Sequence, residues 1–270
     1  MDSYEILSSA RKNGYAIGAF NSINLETTNA IVEAAELENS AIILQISENA
    51  ARYAGLEELF SIAKTKQAKA SVAIIIHFDH AESYQSAKKA IDLGFDSVML
   101  ESADLSPKEN IQQLKKLTDY AKEKNVIIEG EFEITSKGQR HGKQLSALEI
   151  SEMVDKSGCE LVAIDIGSKH KMTKKEASLD LKHLQNIANL VDKPLVLHGA
   201  SGVSKIELQK AIRLGISKVN IATELMICFS NAIRQELEDH SVYDPRKYLA
   251  RGQAKMQTRV RKIIRTLKQE

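Results

Sequence analysis

Residues 194–222 read PLVLHGASGVSKIELQKAIRLGISKVNIA. The stretch opens on Leu195-Val196-Leu197, apolar at consecutive positions, as a strand covered on both faces requires. Glycines at 199 and 202 mark a turn, and from Ser204 to Leu214 apolar residues recur at helical spacing. A β-branched run, Lys218–Ala222, follows. Strand, helix and strand in so short a span form the unit of a parallel sheet with a crossover helix.

The same alternation extends outward. Strands are expected near Tyr15–Asn21, Ala41–Ser47, Val72–His77, Ser97–Glu101, Val126–Glu131 and Leu161–Gly167. Helices are expected at Leu25–Leu37, Glu82–Leu93, Lys108–Lys124, Ala147–Lys156 and Leu181–Val191. With the quoted unit this gives eight strands, which predicts a (β/α)8 TIM barrel; an open, doubly wound sheet is the alternative that periodicity leaves standing. Asp244–Glu270 reads as an extra, basic C-terminal helix. The chain has 270 residues, and barrels routinely use about 250 as a single unit, so residues 1–270 are read as one domain.

Hydrophobic residues at 43% and charged residues at 27% are ordinary globular values. The 37 basic and 36 acidic side chains leave a net charge of +1, so no bulk field favours nucleic acid or an anionic membrane. Neither is expected as a partner, and an anionic ligand must be held by a local site. The tail residues Arg259, Arg261, Lys262, Arg265 and Lys268 could form an RNA-binding arm, but a solvated or subunit-packed helix face is the preferred reading. No apolar run nears the ~18 residues of a membrane span, and the N-terminus lacks a signal-peptide pattern. Cys159 and Cys228 lie far apart without a CxxC, which argues against a disulfide framework. A cytoplasmic protein is expected.

In a barrel, chemistry gathers at the C-terminal ends of the strands, where the βα loops converge. Those ends carry Asn21, Ser47, His77-Phe78-Asp79-His80, Glu101-Ser102, Glu129-Gly130-Glu131, Gly167-Ser168-Lys169-His170, His198-Gly199-Ala200-Ser201-Gly202 and Asn220 through Glu224. Four of the seven histidines lie there: His77, His80, His170 and His198. Imidazoles arriving from the third, sixth and seventh strands give the ligand number of an open catalytic zinc site. Asp79 either orients a neighbouring imidazole or exchanges protons with substrate. Adjacent residues of an extended strand point to opposite sides, so Asp79 and His80 share a target only if the strand bends at its end. The Gly199–Gly202 turn before a helix, with Asn220–Thr223 on the next strand, matches the phosphate site that many barrels build there.

These residues resemble the class II, zinc-dependent ketose-bisphosphate aldolases, the fructose- and tagatose-bisphosphate aldolase family. The likeness runs over nearly the whole chain: Gly18-Ala19-Phe20-Asn21, Ile43–Ser47, the HxDH element His77–His80, Asp96–Met99, the LHGxSG element Leu197–Gly202, Val219–Glu224 and Asp244–Leu249. Ala222-Thr223-Glu224 leans toward the tagatose-bisphosphate branch. The resemblance implies that His80, His170 and His198 bind Zn2+ and that Asp79 gives and takes the proton. Gly199, Ala200, Ser201, Asn220, Ile221, Ala222 and Thr223 would hold the dihydroxyacetone phosphate part of a sugar phosphate, with Asn21 and Ser47 completing the set. Glu101 and Glu131 are candidates for a second cation, and a homodimer or homotetramer is expected.

Some segments depart from the family pattern. Lys171 follows His170 where a phosphate-contacting glycine is usual, and 134–143 carries Lys137, Arg140, His141 and Lys143 in place of an acidic loop. Strand five reads Glu-Gly-Glu-Phe where the family has Glu-Ala-Glu-Leu, and Glu101-Ser102-Ala103-Asp104 replaces an Asp-Gly-Ser type turn. Two competing hypotheses follow: a Schiff-base aldolase using Lys169, and a catalytically impaired paralogue that binds a sugar phosphate.

Overall fold

The computed structural model describes residues 2–102, 105–132, 144–168, 175 and 177–270. Its strands are β1 (Ile17–Asn21), β2 (Ile42–Ser47), β3 (Ile74–Ala81), β4 (Ser97–Leu100), β5 (Ile127–Phe132), β6 (Leu161–Ile164), β7 (Leu195–Leu197) and β8 (Ile216–Ile221). All pair in parallel in chain order, and β8 pairs back to β1 through Gly18↔Val219 and its neighbours. The barrel is closed, so the open-sheet alternative is excluded.

The helices are α1 (Ser3–Asn13), α2 (Leu25–Leu37), α3 (Glu48–Ala54), α4 (Leu56–Gln67), α5 (Tyr84–Leu93), α6 (Pro107–Lys122), α7 (Ala147–Ser157), α8 (Leu181–Leu190), α9 (Lys205–Arg213), α10 (Thr223–Glu236) and α11 (Pro245–Leu267). Their starts follow local rules. Ser83, Ser106 and Ser146 each cap a helix by accepting a hydrogen bond from the backbone N–H three residues on.

Two apolar cores result. The larger lies between strands and surrounding helices, and includes Phe20, Leu44, Ile76, Phe78, Val98, Ile128, Val162, Leu197 and Ile221. The smaller fills the lower half of the barrel with Ile17, Ala19, Ile43, Ile75, Ile127, Leu161, Ala163 and Val196. Helix α1, absent from the expected segments, closes that end with Ile6, Leu7 and Ala10. Arg11 on the same helix donates to the backbone carbonyls of Ala188 and Lys193.

Helix α11 buries Met256, Val260, Ile263, Ile264 and Leu267. Its cations are engaged locally: Arg261 and Arg265 donate to the Glu38 carboxylate, and Arg259 to Glu224. The helix packs on α2 and α10 of its own barrel, and these three arginines are paired within the chain and do not form a free basic arm. No helix among the described residues is long and apolar enough to cross a membrane. Cys159 and Cys228 are free thiols.

Candidate active site at the mouth of the barrel

Side chains alternate along a strand, so the residue two positions beyond an inward one also points inward. From Ile43, Ile75, Ile127 and Val196 that step leads to Gln45, His77, Glu129 and His198, and the barrel lining changes from apolar to polar. Lys218 of β8 joins this layer with no exposed surface. Its ammonium donates to Glu129 Oε2 at 2.6 Å and lies 3.5 Å from His77 Nε2. Because lysine can only donate, His77 accepts at Nε2 and carries its proton on Nδ1, facing Ser97 Oγ at 2.9 Å. The other Glu129 oxygen lies 3.0 Å from His198 Nε2, and a carboxylate there can only accept. Burial and the neighbouring Lys218 push His77 down to about 3, keeping it neutral. Burial opposes charge on Glu129, but attraction to Lys218 and the His198 hydrogen bond outweigh it and hold the group well below the usual carboxylate range.

Above this layer β3 continues past the expected end at His77 and bends. Phe78 pairs with Val98, but Ala81 pairs with Leu100, so one extra residue is accommodated in β3. His80 takes φ of 55°, left-handed backbone that costs a non-glycine residue about 1–3 kcal/mol and clusters at functional sites. The result is the bend that Asp79 and His80 need to share a target. Asp79 Oδ2 lies 3.8 Å from His80 Nε2, and Asp79 Oδ1 lies 3.8 Å from His77 Nε2 and accepts from Asn220 Nδ2 at 3.3 Å. The His80 and His198 ring centroids are 5.3 Å apart.

Glu101 Oε2 is 2.6 Å from His80 Nδ1, and one ligating atom each from His80, Glu101 and Glu131 lie within 4.8 Å of one another. The two carboxylates expected at a second position thus gather around His80 itself. Glu131 is fixed by Ser102, whose backbone N–H donates to its carboxylate at 3.3 Å. Burial disfavours charge on His80, but Asp79, Glu101 and Glu131 together push it up to about 10. The hydrogen bond from His80 lowers Glu101 to about 2 despite burial. Mixed nitrogen and oxygen donors under this excess of negative charge fit a divalent cation of borderline character.

The remaining expected residues fall as follows. Gly199 has φ of 63°, a conformation suited to glycine, and a 3-10 turn over Ala200–Gly202 leads to Ser204, which caps α9. Thr223 begins α10, so backbone amides at 222–224 lie at a helix start, while those at 199–202 belong to the turn before α9. Ile221 faces the outer core, leaving only its backbone for a ligand. Asn21 accepts from Gln45 Nε2 at 3.1 Å, and Gln45 Oε1 and Asn220 Oδ1 are buried acceptors without a hydrogen-bond partner. Ser47 Oγ caps α3 at Ala50. His170, Lys169, Lys171, Asp104 and the 134–143 loop lie outside the described residues.

Sequence reasoning missed Gln45, Ser97 and Lys218, although a lone polar residue inside an apolar strand (ILQIS, ISKVN) was the available signal. Gly130, in place of the family's alanine, has a packing cause: a Cβ there would meet the Phe132 ring and Cys159 Sγ at 2.9 Å.

The family model described as fructose-bisphosphate aldolase class-II matches residues 1–270. The chain belongs to that family. It is 39% identical over 257 residues to a fructose-bisphosphate aldolase of Staphylococcus aureus, covering 91% of this chain and 89% of the relative. It is 36% identical to one of Staphylococcus epidermidis, covering 97% and 94%. Among solved structures it is similar to the YdjI aldolase from Escherichia coli K12, with a TM-score of 0.87 and 26% identity over 99% of this chain and 96% of that one. The chain is an aldolase, a carbon–carbon lyase of a family that is generally metal-dependent.

Proposed function

We propose that residues 1–270 act as one unit, a zinc-dependent aldolase that reversibly cleaves a phosphorylated ketose of the fructose- or tagatose-bisphosphate type into dihydroxyacetone phosphate and an aldehyde. One observation carries the reading: a buried aspartate, Asp79, is held beside the His80 imidazole, whose ring centroid lies 5.3 Å from that of His198, at the mouth of the barrel. His80, His198 and, from outside the described residues, His170 would hold the ion, with Glu101 and Glu131 offering a second position beside His80. When bound, zinc polarises the substrate ketone and stabilises negative charge developing as the C3–C4 bond breaks.

The chain's own groups supply the rest. In cleavage Asp79 takes the proton from the C4 hydroxyl as its oxygen becomes the aldehyde carbonyl, and C3, which keeps the electron pair of the broken bond, takes a proton from solvent to complete dihydroxyacetone phosphate; condensation reverses both transfers. Asn220 holds Asp79 Oδ1 in place, and its unpartnered Oδ1 accepts from a substrate hydroxyl. Backbone amides of Gly199, Ala200 and Ser201, in the turn before α9, and of Ile221, Ala222 and Thr223, where β8 leads into α10, receive the phosphate, while Asn21 and Ser47 stand at the ends of the neighbouring strands β1 and β2. The protein is proposed to be cytoplasmic and to work as a homodimer or homotetramer, with a sugar phosphate and neither nucleic acid nor membrane as its partner.

The Schiff-base alternative rests on Lys169, which lies outside the described residues, and it gains nothing from Lys218, which is buried and ion-paired to Glu129. The non-catalytic alternative finds no support in family membership. The test is a cleavage screen over ketose mono- and bisphosphates before and after chelation. Cleavage should vanish with the metal and return with zinc, and borohydride should trap no adduct; turnover persisting in fully metal-free protein would refute the proposal.

A further inference from the structure

We infer that Lys218 is a positioning residue for the metal ligand His198, acting through Glu129 from beneath the site. The inference rests on the reading of His198 as a ligand. Lys218 Nζ and His198 Nε2 hold opposite oxygens of one carboxylate, at 2.6 Å and 3.0 Å. None of the three side chains is more than 1% exposed, so water cannot substitute for either donor. Among the described residues, Lys218 is the donor within hydrogen-bond reach of Glu129 Oε2; His77 Nε2 is 3.9 Å away. Below the layer lies an apolar cluster that includes Ile43, Ile75, Ile127 and Val196, side chains that cannot hold a carboxylate.

The consequence concerns which nitrogen His198 offers. An imidazole binds a metal through its lone pair, and the hydrogen bond at its other nitrogen selects that tautomer. With His198 Nε2–H donating to Glu129 Oε1, the lone pair is on Nδ1. His198 precedes Gly199, whose left-handed backbone turns the chain at this point. A carboxylate gripped at both oxygens cannot rotate, so it fixes the ring plane as well as the tautomer. Lys218 also reaches His77 Nε2 at 3.5 Å, and His77 Nε2 lies 3.8 Å from Asp79 Oδ1. One ammonium therefore braces the beds of the metal ligand and of the proton-transfer carboxylate. It touches neither the substrate nor the ion.

The test uses full-length protein carrying Lys218→Met, K218M/E129Q and K218M/E129L. The two double variants are both uncharged at the pair; glutamine keeps an acceptor for His198 Nε2–H and leucine removes it. The side-chain nitrogen shifts of His198 are read by NMR in metal-free protein, and zinc affinity by competition with a chromophoric chelator. Wild type should show the Nε2–H tautomer. K218M should weaken zinc about 10- to 100-fold, K218M/E129Q should recover most of that loss, and K218M/E129L should not. If K218M fails to fold, the Gln/Leu comparison decides alone. Unchanged His198 shifts with unchanged zinc affinity in K218M, or equal affinity in the two double variants, would overturn the inference, whatever the melting temperatures. Loss of the metal reading looks different: H198A would then bind zinc as wild type does, while the metal-free tautomer still reports on Lys218.

Discussion

The barrel interior divides into two regions built from the same strands. The lower half, with helix α1 beneath, is packed with an apolar cluster that runs from Ile17 to Val196. Two residues further along those strands come Gln45, His77, Glu129 and His198, and then Asn21, Asp79, Glu131 and Asn220. The geometry of the strands is common to both, so the difference lies in which atoms each side chain presents. The lower half contributes packing, since burying each Ile or Leu is favourable by about 1.5–3 kcal/mol. The upper half holds charges that must be paired to be tolerated, which favours chemistry over stability.

Substitutions in the two halves should therefore separate rate from stability. Replacing Asp79 with Asn should lower kcat by about 100- to 10,000-fold, with melting temperature and circular dichroism near wild type. Conversely, Ile75→Ala in the lower half should cost about 2–5 kcal/mol in chemical denaturation and leave kcat per folded molecule unchanged. A variant that lost both properties equally would erase the distinction.

Acidity gives a subtler test. In metal-free protein His80 is raised from 6.5 to about 10, so the folded state binds its proton more tightly than the unfolded state does. That support is complete below about 6.5 and is lost as pH rises toward about 10. The stability of the metal-free protein should fall across this window relative to H80N, measured by urea titration at each pH. The smallest effect belongs outside the barrel. Lys115→Ala breaks an exposed pair with Asp119 and should change stability by no more than about 0.5 kcal/mol.

Most of the scaffold was legible because strands and helices alternate with distinct periods; all eight strands fall within a few residues of expectation. Helices α1, α3, α4 and α10 were not. The first stands before the alternation begins, α3 and α4 split a single crossover at Gly55, and α10 follows the last strand of the count. The site was half legible. Asp79, His80 and His198 announced themselves by clustering at strand ends, whereas Lys218 and Gln45 sit mid-strand, where sequence does not say which way one polar side chain faces. The bend at His80 was a stated requirement, but its cause, a register slip against β4, depends on a partner strand that no local pattern reveals.

The stopper formed by Ile6, Leu7 and Ala10 makes the cavity a one-ended vessel. Among the described residues this leaves the opposite end as the doorway for reactants, products and exchanging hydrogens to share, so a substrate seated there is its own cork. Isotope from solvent should then enter the carbon skeleton only as quickly as that doorway clears.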